Sequence, residues 1–128
     1  MIKTIKKAYN LIRFKARDIK NRKKRSSKWN KLQKEFLEKN PSCAFCDGTK
    51  NLNVHHKKPF HLYPELELEE SNLITLCMGD KDCHLLVAHG NNFSYYCDNL
   101  DSYILQYKSG KKTFKEICAM AKKERIKH

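Results

Sequence analysis

Val54-His55-His56-Lys57-Lys58-Pro59 is the stretch on which this chain turns. It is a paired histidine set between Cys43-x2-Cys46 upstream and Cys77-x5-Cys83 downstream, with His84 and His89 following at once. Four cysteines satisfy one tetrahedral zinc. That leaves His55, His56, His84 and His89 in the same short module with no structural job. Surplus imidazoles beside a metal-stapled scaffold point to a second metal site, one that performs chemistry.

The surrounding pattern sets the local fold. Leu52-Asn53-Val54-His55 alternates apolar and polar residues and predicts a short strand, and Leu73-Ile74-Thr75-Leu76 predicts a second. Between them, residues 58–71 hold Pro59, Pro64 and an acidic run, which predicts a loop. From Cys83 to His89 there is no breaker before Gly90, which predicts a short helix closed by that glycine. Successive strand side chains face opposite sides, so one of His55 and His56 can ligate a metal while the other approaches a substrate. A neutral imidazole titrating near physiological pH is the natural general base for activating water. His84 and His89 stand ~140° apart on an ideal α-helix, so both reach one metal only if the turn is tighter or wider than α.

Further out, Ile5, Ala8, Tyr9, Ile12 and Ala16 recur at helical spacing and predict a basic helix over 3–25. Ser26-Ser27 offers an N-cap for a second helix, Lys28 to about Lys39, stopped by Asn40-Pro41. Two more helices are expected over 100–107 and 113–127, joined by Ser109-Gly110. Cys97 and Cys118 read as ordinary small buried residues. The expected architecture is α+β and mostly helical. A zinc-stapled core of two short antiparallel strands plus a helix (residues 26–96) is flanked by basic helical extensions, 1–25 and 97–128.

At 128 residues the chain suits one domain with extensions. The absence of a membrane-length apolar run and of a secretory signal leads us to expect a soluble, cytoplasmic protein. In a reducing compartment its close-spaced cysteines are zinc thiolates rather than disulfides. The formal charge is +13, and its placement matters more than its size. Residues 1–39 carry 15 Lys/Arg against 3 Asp/Glu, residues 40–100 carry 4 against 8, and residues 101–128 carry 8 against 3. Basic flanks around a mildly acidic module are the footprint of a polyanion partner, and nucleic acid is the expected one. Of the 27 basic residues 22 are lysine, a point charge suited to phosphate contact rather than base reading. Lys20, Arg22, Lys23, Lys24 and Arg25 form the densest run; Lys57 and Lys58 are candidates for flanking phosphates.

Two other readings of the cysteines fit poorly. A two-cysteine, two-histidine finger needs ~12–15 residues between its second cysteine and first histidine. Here Cys46 to His55 leaves 8 and Cys46 to His84 leaves 37. A thiol redox site at Cys43-x2-Cys46 would lack its βαβ context and leave Cys77 and Cys83 unexplained.

Three motif elements together resemble the HNH nucleases of the ββα-metal superfamily, in the variety pinned by a four-cysteine zinc. They are Val54–Pro59, then Ser71-Asn72-Leu73-Ile74-Thr75-Leu76-Cys77, then Cys83-His84-Leu85-Leu86-Val87-Ala88-His89. The resemblance covers roughly residues 26–96. It implies a metal-dependent endonuclease acting on DNA with low sequence specificity, of a type frequent in bacteriophage gene sets. It implies His55 as a metal ligand, His56 as the general base, and Asn72 as the residue that orients loop and base. It further implies His84, His89 or both as the remaining ligands of a catalytic magnesium, manganese, nickel or zinc ion, and Cys43, Cys46, Cys77 and Cys83 as the structural zinc quartet. Colicin-type members space their helix histidines by three residues where this chain has four, and the Cys77–Cys83 spacer exceeds the common two. The alternative is a non-catalytic zinc-stabilised module that binds nucleic acid. It gives no reason for His56 beside His55.

Overall fold

The computed structural model describes residues 24–79 and 81–128. All but the last two residues of the helix expected over 3–25 therefore lie outside it, as do Lys20, Arg22 and Lys23. In chain order the regular elements are α1 (Trp29–Lys39), β1 (Leu52–His56), β2 (Leu73–Cys77), a π-helical turn (His84–Ala88), β3 (Tyr95–Tyr96), α2 (Leu100–Lys108), α3 (Phe114–Glu124) and β4 (Ile126–Lys127). The 58–71 excursion carries two short 3-10 turns, Pro64–Leu66 and Glu70–Asn72. The class is α+β, with two small antiparallel sheets. β1 pairs with β2 from Leu52↔Cys77 to His56↔Leu73, and β3 pairs with β4.

The amphipathic face of α1 closes one side of the hairpin. Trp29 and Phe36 pack with Val54 and Leu73, supported by Leu32 and Leu37. Each of the two aromatics contributes roughly 1.5–3 kcal/mol by burial. The helix begins one residue later than expected, with Lys28 at the cap position making no side-chain cap bond. Ser26 acts from two residues further out, its hydroxyl accepting from Lys28 N–H at 3.2 Å and its carbonyl from Trp29 N–H at 3.1 Å.

The larger core lies on the other side. Cys43, Phe45, Ile74, Leu76, Val87 and Ala88 meet Cys97, Leu100, Tyr103, Ile117 and Ala121 in one buried cluster. The segment 97–128 thus shares the core of the cysteine–histidine module.

The chain end departs from expectation. Thr113 and Glu116 form a reciprocal capping box that starts α3, with bonds of 3.1 and 3.2 Å. The helix then stops at Glu124 instead of running to 127. Arg125 turns extended and its guanidinium donates to Gly90 O at 2.9 Å, while Ile126 and Lys127 pair with Tyr96 and Tyr95. A partner strand thirty residues away overrides the local helical pattern. Gly90 makes this approach feasible. Its φ is +54°, and a Cβ there would stand 2.8 Å from Ala121 O.

Candidate active site

Two clusters of metal-ligand type emerge, one of thiols and one of imidazoles. The Sγ atoms of Cys43, Cys46, Cys77 and Cys83 all lie within 4.8 Å of one another. Backbone amides support them: Cys46 N–H donates to Cys43 Sγ and Cys83 N–H to Cys77 Sγ, each at 3.5 Å. The long second spacer reaches back through Asp82, whose φ of +49° is a left-handed conformation that aspartate tolerates. Cys43, accepting from Cys83, is held down at about 4, while Cys83, donating to it, is pushed up. Burial raises Cys46. Four sulfur donors gathered this closely match the ligand set of a tetrahedral metal, and the cluster is compatible with a structural metal.

The second cluster is His55, His84 and His89. Their nitrogens also lie within 4.8 Å of one another, and the ring centroids are 4.8–5.0 Å apart, near edge-on. The structure brings both helix histidines to His55, and the reason is the backbone. The segment after Cys83 is a π-turn rather than an α-helix. A π-turn bonds residues five apart, so positions that diverge on an α-helix stack on one side.

The cluster's unsatisfied atoms also point to a cation. His55 Nε2 and His84 Nδ1 are buried without a hydrogen-bond partner among the described residues. An orphaned buried polar atom costs about 1–3 kcal/mol, a cost that ligation removes. His89 donates Nδ1–H to Tyr95 O at 2.7 Å, which leaves its Nε2 lone pair for a ligand. Burial, followed by the neighbouring imidazoles His84 and His89, drives His55 well below its ordinary range. Burial and then His89 hold His84 at about 4, and burial lowers His89. All three favour the neutral form that binds metals.

His56 points to the opposite side of β1 into other company. It is buried, 4.4 Å from the Trp29 ring, and its Nε2–H donates to the carbonyl of Glu67 at 2.9 Å. Its Nδ1 accepts from the Arg25 guanidinium at 3.3 Å. The two bonds together define one tautomer, with the lone pair on Nδ1. Burial lowers the His56 pKa, with the Glu67 carbonyl opposing the shift and Arg25 adding to it.

Asn72 closes the intervening loop. Its Oδ1 accepts from Lys58 N–H at 2.9 Å, and its Nδ2 donates to Lys58 O at 3.2 Å and Leu66 O at 3.4 Å. Lys57 and Lys58 are tied internally, to Asp101 at 3.1 Å and Asp98 at 3.3 Å. Lys24 is exposed.

Arg25, His55, His56, His61, His84, His89 and His128 border one cleft of about 310 Å³. Three participants escaped the sequence reading: Glu67, His61 and His128. His128 Nδ1 lies 2.9 Å from His61 Nε2, brought there by the β3–β4 pairing. Glu67 lies in the acidic run of the predicted loop, yet it is 1% exposed. Nothing local marks any of the three, because long-range contacts deliver each of them.

Fold and site therefore define a small α+β protein with a thiol cluster and an imidazole cluster. Among the described residues no helix is long and apolar enough to cross a membrane. Comparison with known protein families, characterised proteins and solved structures finds no match.

Proposed function

We propose that this chain is a metal-dependent endonuclease of the HNH type, hydrolysing DNA phosphodiester bonds with little sequence preference. The observation that carries the reading is the convergence of His55, His84 and His89 in the cleft that His56 also borders. A purely structural module has no use for buried imidazole nitrogens without a partner among the described residues, beside a second histidine held in one tautomer.

In this reading Cys43, Cys46, Cys77 and Cys83 hold a structural zinc. His55, His84 and His89 hold a catalytic divalent ion, and an all-imidazole set suits nickel or zinc more than magnesium or manganese. The bound cation supplies positive charge for the scissile phosphate and the leaving oxygen. The rest falls to the chain. His56 takes the proton of the attacking water at Nδ1, and the Glu67 carbonyl holds the ring in the required tautomer. Asn72 keeps the loop that carries Glu67 closed. The basic segments, with Lys24 and Arg25 at their described edge, attract the phosphate backbone, so affinity is salt-sensitive. By resemblance the products carry 5′-phosphate and 3′-hydroxyl ends.

Supercoiled plasmid is nicked by the purified protein with added nickel or zinc, EDTA stops the reaction, and His56→Ala removes it. Failure of the wild type over a panel of divalent metals, with DNA still bound, leaves the non-catalytic nucleic-acid-binding module as the reading.

A further inference from the structure

The Arg25 side chain is held as an anion-binding group is held, yet among the described residues only part of its hydrogen-bonding capacity is used. Its guanidinium carbon lies 4.5 Å from the Phe60 ring and 5.2 Å from the Trp29 ring. Cation–π contacts of this kind fix the plane of a guanidinium without consuming its N–H groups. Glu67, 1% exposed, pairs with it at 3.7 Å, while its two carboxylate oxygens share the Ser26 N–H at 3.1 and 3.2 Å. That carboxylate anchors the arginine without saturating it. The side chain is 46% exposed and faces the cleft shared with the imidazole cluster. A guanidinium has five donors, and here one of them is spent on a neutral imidazole nitrogen, His56 Nδ1.

At 3.3 Å that bond is long for an N–H donor. A phosphate oxygen is better in charge and in geometry, since the arginine fork matches two oxygens at once. We propose that Arg25 is a phosphate clamp that leaves His56 Nδ1 for a non-bridging oxygen of the entering phosphodiester, so that substrate arrival opens the nitrogen to the cleft. One N–H···N bond is exchanged for one or two N–H···O bonds, and no covalent bond changes. Glu67 serves both ends as a positioning residue, its carbonyl on His56 and its carboxylate beside Arg25. The inference rests on the nuclease reading for its substrate but concerns binding, so it can be tested where nothing is cut.

The test is ring-nitrogen NMR of His56 in the full-length protein, without added catalytic metal. The probes are the thymidine dinucleoside monophosphate, its neutral methylphosphonate analogue and inorganic phosphate. The phosphodiester should move the Nδ1 resonance to the position of a nitrogen freed from its donor, and the methylphosphonate should not. Inorganic phosphate acting alone would assign the site to a free anion rather than a diester and overturn the proposal. Arg25→Ala should show the freed position from the start, and Arg25→Lys, which keeps the charge but loses the fork, should weaken diester binding about tenfold to a hundredfold. An Nδ1 resonance unmoved by the diester, or equal binding by Arg25→Lys and wild type, overturns it. Plasmid cleavage with an unmoved resonance sinks the clamp alone; a moved resonance without cleavage sinks the nuclease reading alone.

Discussion

Replacing Asn72 with leucine, a side chain of similar length that cannot hydrogen-bond, should loosen the loop that supports His56. Asn72 is 6% exposed and its side chain makes three hydrogen bonds, two across the loop mouth to Lys58 and one to Leu66. Each bond contributes about 0.5–1.5 kcal/mol net, and a buried group left unpaired costs about 1–3 kcal/mol. The Lys58 N–H at 2.9 Å is the shortest of the three and so the one most harmed. The Leu66 bond at 3.4 Å sits at the weak end of the range. A loss of about 2–4 kcal/mol follows, read as a shift in urea midpoint at unchanged slope. The same change frees the segment carrying Glu67 O, so amide hydrogen exchange should rise over residues 57–71 and leave α3 unaffected. Asn72→Asp, which keeps the acceptor for Lys58 N–H, should fall between. A leucine variant within ~0.5 kcal/mol of wild type, with exchange in the loop unchanged, would refute the claim that this asparagine holds the loop.

Three further outcomes are expected. Metal-free protein should lose stability as pH falls from the ordinary histidine value of 6.5 toward about 4, because the unfolded chain takes up a proton that folded His84 refuses. That stability is fully present above 6.5, and His84→Asn should flatten the dependence of urea midpoint on pH. Gly90→Ala should cost about 2 kcal/mol or more, since a left-handed φ and a Cβ 2.8 Å from Ala121 O act together; thermal melting measures it. Cys77→Ser should lower bound metal by one equivalent per chain, measured by elemental analysis, while His55→Ala leaves that equivalent in place.

The strands were legible because a period of two is written in four or five residues, and the same period separates His55 from His56. The cysteine quartet was legible from spacing alone. The π-turn was not, because one extra residue per turn leaves the apolar pattern of Leu85, Val87 and Ala88 unchanged. Only the spacing of His84 and His89 hinted that a regular α-helix would fail to unite them. β4 was hidden for a different reason: Ile126-Lys127 continues a helical pattern locally, and its partners Tyr95 and Tyr96 are remote in sequence. The surroundings of His56 depend likewise on contacts 11 and 31 residues away, to Glu67 and Arg25.

The central claim is that His56 performs chemistry beside a cation held by His55, His84 and His89. Single-turnover cleavage of an end-labelled duplex by His56→Ala, with metal occupancy and DNA affinity measured on the same samples, tests it most directly. The account predicts unchanged metal and DNA binding and a rate lower by about 10²–10⁴-fold. Cleavage by His56→Ala at the wild-type rate would contradict it.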